Sequence, residues 1–298
     1  VENFERFFFT SSGSRISAID FGNTGKPDLV ILHGMRDHAL SMLGIARALT
    51  ADYHVVAMDL RGHGQSDNPG VYTLVQFIAD LRDLVQHCEL SNPVIIAHSL
   101  GGHIASRYAG MFQDEISRLV LLDGMGPPAN QDGPGQDSLR QRLVSGVEST
   151  RMLSSQNQQM QDDTEARMRL MRNNPRLSSE LAQIIVDHGV VQHPSGGVQW
   201  RWDPAVQMIW HTFSHAETEA LWGWIECPVL IVTGEHSLDY WSATRDELKD
   251  QVEMYESELR RRQALFRNAR HLVIADAGHM LHYDQPDEVN RVITEFLS

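Results

Sequence analysis

Pro93-Val94-Ile95-Ile96-Ala97-His98-Ser99-Leu100-Gly101-Gly102-His103-Ile104-Ala105-Ser106-Arg107-Tyr108 is the stretch around which the chain is organised. Val94 to Ala97 is a short apolar run with two isoleucines, the pattern of a buried strand. From Gly102 to Phe112 the spacing turns helical, with Ile104, Tyr108, Met111 and Phe112 on related faces. Between them, Ala97-His98-Ser99-Leu100-Gly101 is G-x-S-x-G with Ala in place of the first Gly. A serine on so sharp a strand-to-helix turn is held in strained backbone geometry with its hydroxyl exposed above the sheet. Ala97 and Gly101 are small enough to let strand and helix pass closely, and Gly102 adds room. The free N–H groups at the start of the helix face the serine and favour negative charge there. Five residues alone would also fit an ordinary turn serine, so the rest of the chain has to separate the two.

Working outward, the same strand-then-helix alternation recurs. Phe4 to Phe9 and Arg15 to Phe21 read as an antiparallel hairpin around Ser11-Ser12-Gly13. Leu29 to Leu32 is a continuous apolar strand, as in a parallel sheet covered on both faces, and it runs into His33-Gly34-Met35. His54 to Met58 is the next strand, closed by Asp59-Leu60-Arg61-Gly62-His63-Gly64-Gln65-Ser66. A helix follows from about Thr73 to Glu89. Beyond the Ser99 turn, Leu119 to Leu122 ends in Asp123-Gly124. Strands return at Val229 to Val232 and His271 to Ile274, with a charged helix over about Ala243 to Phe266 between them and a final helix from about Pro286 to Leu297. Short apolar strands alternating with helices predict an α/β architecture, a parallel sheet with helices on both faces.

The stretch between the strands that end at Asp123 and begin at Val229 reads differently. It opens on Gly126-Pro127-Pro128 and Gly133-Pro134-Gly135, is rich in Gln, Arg, Met and Ser, and shows helical patterns such as Leu139 to Val147 and Leu177 to His188. Residues 124–227 are therefore expected as a helical insertion, with 1–123 and 228–298 as the core.

Composition narrows the partners. The 298 residues carry a formal net charge of −14, which disfavours nucleic acid and anionic membrane surfaces. No apolar run approaches the roughly 18 residues that a membrane-spanning helix needs. The first ten residues carry two acids and no long apolar core, unlike a secretory signal. Cys88 and Cys227 lack metal-ligand spacing and read as buried free thiols, in keeping with a reducing cytoplasm.

Four separated motifs now stand in one order: His33-Gly34, Asp59-Leu60-Arg61-Gly62-His63-Gly64-Gln65-Ser66, Ala97-His98-Ser99-Leu100-Gly101-Gly102, and Ala277-Gly278-His279 ahead of the last helix. In this the chain resembles the α/β-hydrolase fold family over nearly its whole length. The resemblance implies an eight-stranded, mostly parallel sheet with a helical cap inserted after the sixth strand. It also implies a serine nucleophile at Ser99, with His279 as the base that takes its proton, and no metal or organic cofactor. Backbone N–H groups of Leu100 and Met35 are the implied oxyanion donors. The acid departs from the family's common pattern. Where Gly-x-x-Asp usually follows the Val229 to Val232 strand, this chain has Gly234-Glu235-His236-Ser237. Asp123, at the end of the preceding core strand, is the position a minority of the family uses; Asp239 is its rival, and Glu235 a more remote one.

His33 and His98 are candidates to border the substrate pocket, although both also suit packing around the turn. Trp200 and Trp202 are the insertion's candidates to reach over Ser99. Met and aromatic side chains there suit a mixed apolar pocket for an acyl or aryl group. The expected partner is accordingly a small-molecule ester or thioester. Two other chemistries fit the same residues: hydrolysis of an activated carbon–carbon bond, and cofactor-free dioxygenation by a His/Asp pair. A non-catalytic binding protein on the same fold is the further alternative.

Overall fold

A computed structural model describes residues 4–126, 136–153, 159–243 and 245–298. Strands β1 (Glu5–Ser11), β2 (Ser14–Asp20), β3 (Asp28–Leu32), β4 (His54–Met58), β5 (Val94–His98), β6 (Arg118–Leu122), β9 (Val229–Gly234) and β10 (Ala269–Ile274) form one eight-stranded sheet; β7 (Val190–Gln192) and β8 (Val198–Trp200) pair apart from it. The order across the large sheet is β1-β2-β4-β3-β5-β6-β9-β10. β2 runs antiparallel to β1 and to β4, and every other pairing is parallel.

The strands are where the apolar runs are, for a physical reason. Leu29 to Leu32, Val55 to Met58, Ile95 to Ala97 and Leu119 to Leu122 are fully buried on both faces. Each large aliphatic side chain withdrawn from water contributes roughly 1.5–3 kcal/mol. Helix α1 (Leu43–Leu49), the short α10 (Leu281–Asp284) and α11 (Pro286–Leu297) cover one face. Helices α2 (Leu74–His87), α3 (Leu100–Met111) and α9 (Val252–Gln263) cover the other. α2 starts at a capping box in which Thr73 and Gln76 bond each other's backbone N–H.

The strand order reverses between β3 and β5, so the loops leaving these two strands diverge and open a crevice at their carboxyl ends. Met35 and Ser99 stand at the mouths of those two loops.

Between β6 and β9 the chain carries α4 (Gln136–Met152), α5 (Asp163–Asn173), α6 (Ser179–Gly189), the β7–β8 hairpin, a 3₁₀ turn (Pro204–His211) and α7 (His215–Trp222). The two ends of this insertion pack differently. Met160, Ala166, Val186, Val190 and Val198 make a small cluster of their own. Ala205, Val206, Ile209, Phe213 and Trp222 instead join the main core beneath α3. The Gly-Pro punctuation beyond Gly126 lies outside the described residues.

Two expectations need correction. The single charged helix from Ala243 to Phe266 is broken: α8 (Ser237–Ser242) and a 3₁₀ turn (Asp246–Leu248) precede α9, and Asp250 at φ 61° interrupts the helical path. Cys88 and Cys227 are free but only half-buried, and burial still pushes both thiols up to about 11.

Candidate active site

Ser99 terminates β5 at φ 49° and ψ −114°, a conformation L-residues rarely hold. Its N–H donates to the Leu122 carbonyl at 3.1 Å, which ties the turn to the end of β6. The turn is sterically closed. A Cβ on Gly101 would lie 2.7 Å from the His33 carbonyl oxygen, and one on Gly102 would lie 2.6 Å from the Gly124 Cα. Glycine at both positions is what lets α3 start against β3 and β6.

Asp123 follows β6 in the same left-handed region, at φ 44°, and its N–H donates to the Val232 carbonyl at 2.7 Å. Its buried carboxylate points at His279, with Oδ2 2.6 Å from Nδ1. The other ring nitrogen, Nε2, is 3.0 Å from Ser99 Oγ. An ionised carboxylate can only accept, so Nδ1 carries the proton and Nε2 is left to accept the serine hydroxyl. Three groups from three strand ends thus form one hydrogen-bonded line.

The loop that carries His279 is itself anchored. The Gly278 N–H donates to Asp284 at 2.8 Å, and the Ala277 carbonyl accepts from His236 at 2.8 Å. His98 Nε2 donates to the His279 carbonyl at 3.0 Å. Burial, reinforced by His282 and His279, holds His98 well below its usual value and hence neutral. The Tyr240 ring lies flat on the His279 imidazole, centroids 3.9 Å apart at 15°, and Trp241 meets it edge-on at 5.3 Å.

Asp239, the rival acid, lies exposed on the pocket wall and makes no side-chain bond to His279. Ser237, at the position where the commoner acid would stand, turns inward and accepts the Gly234 N–H at 2.9 Å. It caps the end of β9.

A cavity of about 750 Å³ opens over Ser99 and His279, bordered among others by Met35, His98, Trp200, Trp202, Tyr240 and Met280. His98, Trp200 and Trp202 are therefore at the pocket. His33 is not. It is wholly buried below the floor, its Nδ1 donating to the Gly34 carbonyl at 2.6 Å and its Nε2 accepting the Leu60 N–H at 3.0 Å. Burial and His63 hold it down at about 3, so it stays a neutral strut between the β3 and β4 loops. The Asp59 to Ser66 loop has its own buried frame. Asp59 accepts from Arg6, Ser17 and the backbone of Ala39 and Gln65, while Arg61 pairs with Asp80 through two parallel bonds.

The His33-Gly34-Met35 loop runs close beside the serine: a Cβ on Gly34 would come within 3.2 Å of Ser99 Cβ. Met35 borders the cavity and Leu100 heads α3 directly after the serine. Outside this site, Glu235, His236 and Asp276 bring one possible ligand atom each within 4.8 Å of one another. They are exposed, and Glu235 is engaged by the Asp276 N–H at 3.0 Å. Sequence reasoning passed over Tyr240, Arg36 and Arg201 as parts of the pocket. The only available signal was the aromatic pair Tyr240-Trp241 soon after a core strand.

Comparison with known proteins agrees with this fold. Residues 27–286 match the family model for the alpha/beta hydrolase fold, and the chain belongs to that family. Hydrolysis is the class of activity that this membership supports. The chain is 26% identical to Esterase YbfF of Escherichia coli (strain K12) over 272 residues, 91% of this chain and 92% of that one. It is 34% identical over 101 residues to an uncharacterized protein of Mycobacterium tuberculosis, a match that spans 34% of this chain and only 30% of that relative's length. Among solved structures, the thioesterase domain from the curacin biosynthetic pathway superposes with a TM-score of 0.81 at 23% identity, covering 98% of this chain and 99% of that domain, which is a likeness of fold. Among the described residues no helix is long and apolar enough to cross a membrane.

Proposed function

We propose that this protein is a serine hydrolase that cleaves carboxylic esters or thioesters of small to medium acyl or aryl groups through an acyl-enzyme. The observation that carries the reading is the line Asp123 Oδ2, His279 Nδ1, His279 Nε2, Ser99 Oγ, with spacings of 2.6 and 3.0 Å, at the floor of the cavity. In this reading His279 Nε2 takes the hydroxyl proton as Ser99 Oγ attacks the carbonyl carbon. Asp123 balances the imidazolium and fixes its tautomer. The N–H groups of Met35 and Leu100 receive the developing oxyanion. His279 then returns the proton to the departing alcohol or thiol, and a water attacks the acyl-enzyme by the same route in reverse. Residues 124–227 serve as the cap, with Trp200 and Trp202 as its contacts to the acyl group. The match to an esterase at 26% identity over nearly the full chain supports the choice of ester chemistry.

The test is labelling and turnover together. A fluorophosphonate should modify Ser99 and abolish hydrolysis of an ester and thioester panel. Ser99→Ala should lose on the order of 10⁴-fold or more in turnover. A label at another residue, or a Ser99→Ala variant with most of its activity, overturns the assignment. Substrate-dependent oxygen consumption by the wild type would point to dioxygenation instead.

A further inference from the structure

Among the described residues, four arginines border the cavity above Ser99: Arg36, Arg169, Arg176 and Arg201. Two of them are answered by carboxylates of this chain. Arg169 pairs with Glu165 at 2.5 Å, and Arg176 bonds the Asp276 carbonyl with the Asp284 carboxylate 3.8 Å away. Among the described residues the other two are not. The Arg36 guanidinium bonds the neutral amide of Gln207 at 2.5 Å and lies over the Trp202 ring at 5.1 Å. The Arg201 guanidinium forms no hydrogen bond or ion pair among the described residues, and its Nε is shut away from water without an acceptor. Its main-chain N–H, bonded to the Gly189 carbonyl at 2.8 Å, fixes where the side chain sets out.

A buried guanidinium N–H with no acceptor is costly, and the group cannot shed its charge. Nor are these cations the overflow of a basic surface, since the chain as a whole carries −14. The acidic groups on the wall leave them uncompensated. Asp37 is held by the Tyr283 hydroxyl at 2.7 Å, and no ion pair joins Asp239 to either arginine. Arg201 also borders a neighbouring cavity of about 640 Å³, so it stands where two spaces meet at the Trp200–Trp202 segment.

We infer that the substrate bears an anionic group, a carboxylate or a phosphate, which Arg201 and Arg36 hold while the scissile carbonyl lies at Ser99. This inference rests on the hydrolase reading above. The planar fork of Arg201 offers the N–H groups of Nη1 and Nη2, which unlike Nε are not shut away from water, to two oxygens of such a group. Arg36, one residue past Met35, supplies the second charge from the opposite loop.

The two sources of the anion are separated by matched pairs. In one arm, kcat/KM of the wild type is measured for an aryl hemisuccinate and for its neutral methyl ester. In the other, an acyl-coenzyme A is compared with the acyl-N-acetylcysteamine thioester of the same acyl group. The charged member of at least one pair should be preferred on the order of 10- to 100-fold, the worth of a charge-assisted hydrogen bond. In Arg201→Gln that ratio should fall to within about threefold of unity, and Arg201→Lys should restore part of it. Preference in the first arm assigns a carboxylate on the acyl group; preference in the second assigns a phosphate on the leaving group. Equal or inverted preference in both wild-type arms, with Ser99 still labelled by fluorophosphonate, overturns this inference alone, as does a ratio untouched in Arg201→Gln. Inert substrates throughout and an unlabelled Ser99 bring down the hydrolase reading and this inference with it.

Discussion

Replacing Asp123 by Asn tests the site at the point where the chain departs from the commoner pattern. The change is nearly isosteric, and Asn tolerates the left-handed backbone at φ 44°, so the fold should survive. Two effects then act on His279. The amide in place of the carboxylate can donate to Nδ1, which moves the ring proton to Nε2 and leaves no acceptor for the serine hydroxyl. The imidazolium formed during attack also loses its counter-charge. With Oδ2 2.6 Å from Nδ1, the charge centres are about 4 Å apart, and at an effective dielectric near 20 that attraction is about 4 kcal/mol. Four kcal/mol is about three decades of rate. Asp123→Asn should therefore lower turnover by roughly 10³–10⁴-fold. Asp239→Asn, exposed and unbonded to the imidazole, should cost less than about threefold. The assay is single-turnover acylation by a chromogenic ester, with circular dichroism to verify folding. A near-normal Asp123→Asn beside a nearly dead Asp239→Asn would refute the reasoning and return the acid to the β9 side.

Three further outcomes follow from the geometry. Ala at Gly102 would place its Cβ 2.6 Å from the Gly124 Cα, a backbone contact that cannot swing away, so Gly102→Ala should lose about 1–3 kcal/mol or more by urea unfolding; an unchanged midpoint would contradict so close an approach. His33 and His282, held at about 3 mainly by burial, and His63, at about 4, stay neutral in the folded chain while the unfolded chain takes up a proton at each below about 6.5; stability should be flat above that pH and fall beneath it, by about 2 kcal/mol per group at pH 5, with Asp37 and Asp80, raised by burial, opposing in part, and equal stability at pH 7.5 and 5 would sink the idea. Trp200→Ala and Trp202→Ala should redistribute kcat/KM between short and longer acyl chains, whereas unaltered chain-length profiles in both would make these tryptophans packing residues only.

The parts of the fold governed by local physics were readable from the chain. Four-residue apolar runs can be satisfied only inside a sheet covered on both faces, which is why β3, β5, β6 and β9 fall where the runs do. The Ser99 turn was legible because small residues are needed on each side of it. Asp123 was legible as a carboxylate at a strand end directly before a Gly, which set it ahead of Asp239; its burial beside the imidazole was not legible, because that depends on β6 lying inside the sheet. Which of its two expected roles His33 plays was hidden for a related reason. Its neighbour Gly34 does approach the serine, yet the His33 side chain points down, to the Leu60 N–H. The arginines of the pocket were beyond reach of any pattern, because Arg36 and Gln207, or Arg176 and Asp284, are joined only when distant segments fold together. The break at Asp250 was hidden in turn, since a single residue in the left-handed region leaves the surrounding charge pattern intact.

The placement of Asp123 ahead of the insertion has an engineering corollary. Every atom of the Ser99–His279–Asp123 line belongs to segments that precede Gly124 or follow Gly278. Helices α5 and α6 and the β7–β8 hairpin supply walls to the cavity but no atom to that line, whereas Ala205 to Trp222 is built into the main core. The former is the part to exchange, provided the α6 face of Leu181 and Ile184 that rests on the core is kept, and the latter is chassis. Grafts that swap residues 163–200 and leave 204–222 in place would alter what reaches the serine while keeping the line that addresses it, a separation that an acid placed on the far side of the insertion would not give so cleanly.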